Sequence, residues 1–146
     1  MSQPSLDVDR LQRIRDAFAR VPYAHLIGLE IGEMSDGVAT VNLKVRDQHK
    51  QNLGVVHGGA IASLIDTASA FAVVTQLEPN EQVTTTDLTI HYLRPITDGS
   101  LSAKARVIRR GRRLFVIQVE VTNDQQLLLA TAVTGYIKIS YKDSAT

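Results

Sequence analysis

The spacing of apolar residues divides the chain into an amphipathic helix, two strands, a helix apolar on nearly every side, and four further strands. Leu11, Ile14, Phe18 and Val21 recur at intervals of three and four with Arg and Asp between them, which predicts a helix over residues 7–20 ended by Pro22. His25 to Ile31 reads as a first strand, and Ser35-Asp36-Gly37 as a turn into a second. In that second strand Ala39, Val41, Leu43 and Val45 alternate with Thr40, Asn42 and Lys44, so one face is apolar and the other polar. Asp47 to Gly54 is a polar, irregular connection. Residues 58–76 are then apolar or small and neutral at nearly every position, and read as a helix. After the break at Leu77-Glu78-Pro79-Asn80, the segments Thr84 to Leu93, Leu101 to Ile108, Leu114 to Thr122 and Leu127 to Ile139 read as strands.

This order implies an architecture. A helix with almost no polar face must be covered on most of its circumference, and the available material is a sheet of about six strands curved around it. The expected class is α+β: one domain over residues 1–146, with an N-terminal helix at about 7–20 and a core at about 24–140. Six antiparallel strands that do not close leave two edges, and edge-to-edge pairing about a two-fold axis would hide them, so a homodimer is expected.

Composition narrows the function classes. Sixteen Lys and Arg against fifteen Asp and Glu give a net charge of +1, so no global field attracts nucleic acid or an anionic membrane. There is no cysteine, which removes disulfides, thiolate nucleophiles and Cys-based metal sites. The first residues carry no basic segment followed by an apolar one, and the expected location is cytoplasmic. Residues 58–76 are long enough to span a bilayer. Asp66 in the middle, diluted further by Ser63, Thr67, Ser69 and Thr75, makes a buried helix the better reading.

The candidate chemistry lies at the start of this helix. Gly58-Gly59 lets the backbone approach a ligand without a Cβ in the way, and the first N–H groups of a helix are unpaired donors with positive partial charge. Such donors stabilise a developing oxyanion, and one well-placed donor lowers a barrier by roughly 3–4 kcal/mol. His57 precedes the pair. Asp66, the only ionisable side chain from 58 to 76, could deprotonate water or attack a carbonyl directly. At ~1.5 Å per residue Asp66 lies roughly 12 Å along the axis from Gly58, too far for both to touch one carbonyl. Two copies with these helices antiparallel would bring Asp66 of one opposite Gly58 of the other.

The run from Asn52 through Val55, His57, Gly58, Gly59 and Asp66 to Ala68, followed later by Tyr92-Leu93-Arg94-Pro95, resembles the signature of hotdog-fold thioesterases of the phenylacetic-acid-degradation type, over about residues 24–140. The resemblance implies hydrolysis of acyl-CoA or aryl-CoA thioesters by a dimer of dimers. Asp66 would be nucleophile or general base, the Gly58 amide would polarise the thioester carbonyl, and His57 would orient the site. Thr85 falls where the family places a hydroxyl that positions water. The family has Asn six residues before the His; here Gln51 stands there and Asn52 one place later, so either amide could fill that role.

For the substrate, Gly59, Leu53, Val55, Leu64 and Phe71 are the expected contacts of the acyl group. The cluster Arg109-Arg110-Gly111-Arg112-Arg113 reads equally as a solvated hairpin tip or as a contact for CoA phosphates, which Arg binds bidentately, with Arg94 and Lys104 adding from nearby strands. His25, His49 and His91 read as surface or packing residues. No His/Asp/Glu spacing suggests a metal, and no cofactor is expected beyond the CoA of the substrate. Two competing readings remain: a non-catalytic acyl-CoA binding or sensing module, against which Asp66 argues, and a hotdog hydratase or dehydratase, whose proline-rich His loop is missing.

Overall fold

The computed structural model of the chain describes residues 6–139; residues 1–5 and 140–146 of the expected domain lie outside the described residues. Helix α1 (Val8–Ala19) is capped by Asp7, whose carboxylate accepts from the Arg10 N–H at 2.7 Å. It buries Ile14 and Phe18, and the Phe18 ring meets Phe71 edge-on with centroids 5.0 Å apart. Pro22 ends α1 but also opens α2 (Pro22–Ile27), because a proline at the first helical position gives up only an N–H that has no partner there anyway. Gly28, with φ +85°, closes α2 in the left-handed conformation. The strand expected from His25 therefore begins only at Leu29. A short apolar run has no period that separates helix from strand, and here Pro22 and Gly28 decide it.

The strands are β1 (Leu29–Ser35), β2 (Val38–Lys44), β3 (Gln82–Tyr92), β4 (Ser100–Arg110), β5 (Leu114–Thr122) and β6 (Leu128–Ile139). They form one antiparallel sheet in the order β1-β2-β4-β5-β6-β3, so β1 and β3 are its edges. The long helix α3 (Gly58–Val74) packs against β2, β4 and β5, and against β3 and β6 beyond them. The inward face of the sheet supplies Ala39, Val41 and Leu43, then Leu101, Ala103 and Ala105, then Phe115, Ile117, Val119 and Val121, all fully or almost fully buried. From α3, Ile61, Leu64, Ile65, Ala68 and Ala72 fill the space between.

The C-terminal end of α3 is fastened to the β1–β2 turn. The buried Thr75 hydroxyl donates to the Ala72 carbonyl at 2.7 Å and accepts the Gly37 N–H at 2.8 Å. Thr75→Val keeps the volume and leaves the buried Gly37 N–H without a partner, at an expected cost of about 1–3 kcal/mol. A lower midpoint in urea unfolding checks this; an unchanged midpoint would mean that the turn is held by other contacts.

Candidate functional site

The N-terminus of α3 is built by the preceding loop. His49, in a single 3-10 turn (Asp47–His49), is buried; its Nδ1 accepts the Arg46 N–H at 2.9 Å and its Nε2–H donates to the Ile27 carbonyl at 2.6 Å. The His49 carbonyl in turn accepts the His57 N–H at 2.8 Å, which fixes where α3 begins. His57 caps the helix: its Nδ1 accepts the Gly59 N–H at 2.8 Å and its carbonyl the Ala60 N–H at 2.9 Å. Gly58 N–H is left, and among the described residues it has no protein acceptor. Gln51 Oε1 is committed to its own turn, accepting the Leu53 N–H at 2.6 Å, whereas Asn52 is exposed and its side chain makes no hydrogen bond among the described residues.

Two strands hold Asp66 in the middle of α3. Thr85 Oγ1 donates to its Oδ1 at 3.0 Å, and the Tyr136 hydroxyl donates to the same oxygen at 2.5 Å while also lying 2.7 Å from the Asp66 backbone carbonyl. Thr85 and Tyr136 are directly paired across β3 and β6, so their side chains reach the helix side by side. Oδ2 has no partner among the described residues and is not sealed from solvent. Burial, and then the neighbouring Asp66 carboxylate, push the Tyr136 phenol far above its ordinary range, so it stays a neutral donor.

A bulge in β3 makes this possible. Thr85 and Tyr92 are seven residues apart and would face opposite sides of a regular strand, yet Thr85 reaches Asp66 and the Tyr92 hydroxyl donates to the Gly58 carbonyl at 2.7 Å. The register slips between Thr85 and Asp87, leaving Thr86 as the extra residue, and the phase changes there. Gly135 on β6 makes room for it. A Cβ there would sit 2.1 Å from Asp87 Oδ1 and 2.6 Å from Thr86 Oγ1.

Beside Gly58 a cavity of about 310 Å³ is lined by Val55, Val56, Ile61, Tyr92, Leu93, Arg94, Pro95 and Ile96. The structure therefore brings Val55 and Arg94 to Gly58, and Thr85 to Asp66. It does not bring the other expected substrate residues to this cavity: Leu64 is buried beneath the sheet, Phe71 packs on Phe18, and Leu53 is 80% exposed on the loop. Arg109, Arg110, Arg112 and Arg113 are exposed at the β4–β5 hairpin, with Arg110 next to Thr75 and Gln76 at the opposite end of α3 from Gly58. Among the described residues no group of three His, Asp or Glu is placed to hold a metal, and no helix is long and apolar enough to cross a membrane. Tyr136 and the bulge went unread in the sequence, and Tyr92 stood there only as part of the segment Tyr92-Leu93-Arg94-Pro95, with no role given to it. One signal was available: a glycine inside a strand, Gly135, marks a bulge or a close approach.

A family model described as the thioesterase superfamily matches residues 53–130. The acyl-coenzyme A thioesterase PaaI of Escherichia coli (strain K12) is 34% identical over 108 residues, 73% of this chain and 75% of that one. The medium/long-chain acyl-CoA thioesterase YigI of the same organism is 27% identical over 132 residues, covering 80% of this chain and 85% of its own. Among solved structures, that of the E. coli PaaI protein from the phenylacetic acid degradation operon superposes with a TM-score of 0.82 at 29% identity, over 90% of this chain and 94% of the other.

The bulge yields a test. Gly135→Ala forces Thr86 and Asp87 to move, with an expected loss of about 1–3 kcal/mol in stability. Adding Asp87→Gly removes the atom nearest the new methyl and restores part of it in denaturant titrations. Equal stability of Gly135→Ala and the parent would show that the bulge does not depend on this glycine.

Proposed function

The chain belongs to the thioesterase superfamily and has its hotdog fold, and from this premise we propose that it hydrolyses an acyl-CoA or aryl-CoA to the free acid and CoA at a site shared by two protomers. The observation that carries the reading is the division of labour on Asp66: one carboxylate oxygen is pinned by Thr85 and Tyr136, and the other has no partner among the described residues. The rest of the site is the partner's Gly58 N–H. Asp66 and Gly58 of one helix are eight residues, or roughly 12 Å, apart.

Pairing is favoured by the part of α3 that the sheet leaves uncovered. Gly59, Ala62, Ser63, Asp66, Thr67, Ala70 and Val74 are the partly accessible positions beyond Gly58, and all but the last are small or short. Small side chains let a second helix approach closely. Edge strand β3, whose outer side is unpaired among the described residues, would continue into its copy.

In the hydrolytic step Oδ2 takes a proton from water as the water oxygen attacks the thioester carbon. The partner's Gly58 N–H holds the oxyanion, and collapse breaks the C–S bond and releases CoA, which regains the proton. Direct attack by Oδ2 would instead expel CoA as its thiolate and form an anhydride with the acyl group, which water then cleaves. Label from ¹⁸O-water found on Asp66 after a single turnover marks this second route, with water attacking the Asp66 carboxyl carbon of the anhydride. In an antiparallel pair Arg94 of one protomer and the Arg109–Arg113 hairpin of the other lie toward the same end of the site. The hairpin sits about 13 Å beyond Asp66 along the helix, so these cations are assigned to the CoA phosphates.

Asp66→Ala should lower kcat by about 10²–10⁴ in thiol release from acyl-CoAs without loss of folding. Gly58→Pro removes the N–H at a position where proline suits a helix and should be nearly inactive as well. Co-expressed, the two variants form mixed dimers in which one site has both intact parts, so about a quarter of parental activity should return. Failure of the mixture to recover would place each complete site within one chain.

A further inference from the structure

We propose that Tyr136 is a positioning residue for the hydrolysis described above, and that its hydroxyl decides which oxygen of Asp66 reacts. The inference rests on the thioesterase reading, but its evidence is separate: no part of the motif at the start of α3 includes Tyr136.

The hydroxyl touches one residue in two places, the Oδ1 and the backbone carbonyl of Asp66. A single group bonded to both the side chain and the main chain of the same residue fixes the rotation between them. Tyr136 is itself rigid, 2% exposed and paired with Thr85 on one side and Phe115 on the other within the sheet. With Thr85 it loads Oδ1 with two donors, so Oδ2 is the oxygen left with lone pairs for a proton or a carbonyl carbon.

Tyr136→Phe keeps the ring and removes only the oxygen. The expected result is a fall of about ten- to hundredfold in kcat, the size of one hydrogen bond to a charged group, with KM little changed. A role confined to packing would lower thermal stability and leave kcat in place. The parent enzyme assayed in parallel separates the two readings. If the parent cleaves no acyl-CoA, the thioesterase reading falls, whereas an active parent and a Tyr136→Phe variant with unchanged kcat would overturn this inference alone.

Discussion

The constraint on which the structure depends is that α3 cannot face water along most of its length. Ala60, Ile61, Leu64, Ile65, Ala68, Ser69, Phe71, Ala72 and Val73 together take up more than half of the helix circumference and are all buried. At roughly 25 cal/mol per Å², the apolar surface they remove from water outweighs what any hydrogen bond at the site contributes. The sheet must therefore wrap the helix, and its inward face must be narrow where the helix is closest. Ala103 and Ala105 on β4 and Ala39 on β2 meet that need. The stripe of α3 left over carries Asp66, so the same packing that hides the helix chooses which side of it remains available for chemistry.

Wrapping alone does not deliver side chains to the right places. Edge strand β3 has two tasks on one helix, to hold Asp66 through Thr85 and to support Gly58 through Tyr92. Their odd spacing conflicts with the two-residue period of a strand, and the bulge at Thr86 resolves it. The cost falls on β6, where Gly135 gives up a side chain and the packing that comes with it. The next residue, Tyr136, spans to Asp66. Gly135 and Tyr136 thus serve opposite faces of the same bulged pairing.

Much of this was legible in the sequence where one physical rule acted alone. The unbroken apolar run gave α3, and strict alternation gave β2 and β5 nearly to the residue. Gly58 and Asp66 stood out because a glycine pair and a lone carboxylate are conspicuous against an apolar background. Three features were not legible, each because it depends on a partner distant in sequence. Residues 22–27 form a helix because Pro22 and Gly28 bracket them and Arg46 and His49 bind the carbonyls of the last turn. Tyr136 reads as one more alternating strand residue until its register with Thr85 is known. The acyl-side expectations for Leu64 and Phe71 followed from their apolarity, which serves a core as well as a pocket, and in the protomer both are packed into the core.

Under the proposed pairing, geometry also ties activity to assembly. A helix dipole and a carboxylate on one rigid α-helix keep a fixed separation, and no side-chain motion closes roughly 12 Å along an axis with ~1.5 Å rise per residue. Under that reading Asp66 and a Gly58 N–H meet only across two helices. Antiparallel pairing would then produce two equivalent sites at once, because a contact that set Asp66 opposite the partner's Gly58 would be repeated by the two-fold axis. Under the proposed pairing the small residues beside Asp66 have two functions, since they set how closely the helices approach and hence the distance between base and oxyanion donor. A larger residue at Ala62 or Ala70 would then widen the site without touching a catalytic group. Selection on chemistry and selection on the interface would act on the same face of α3.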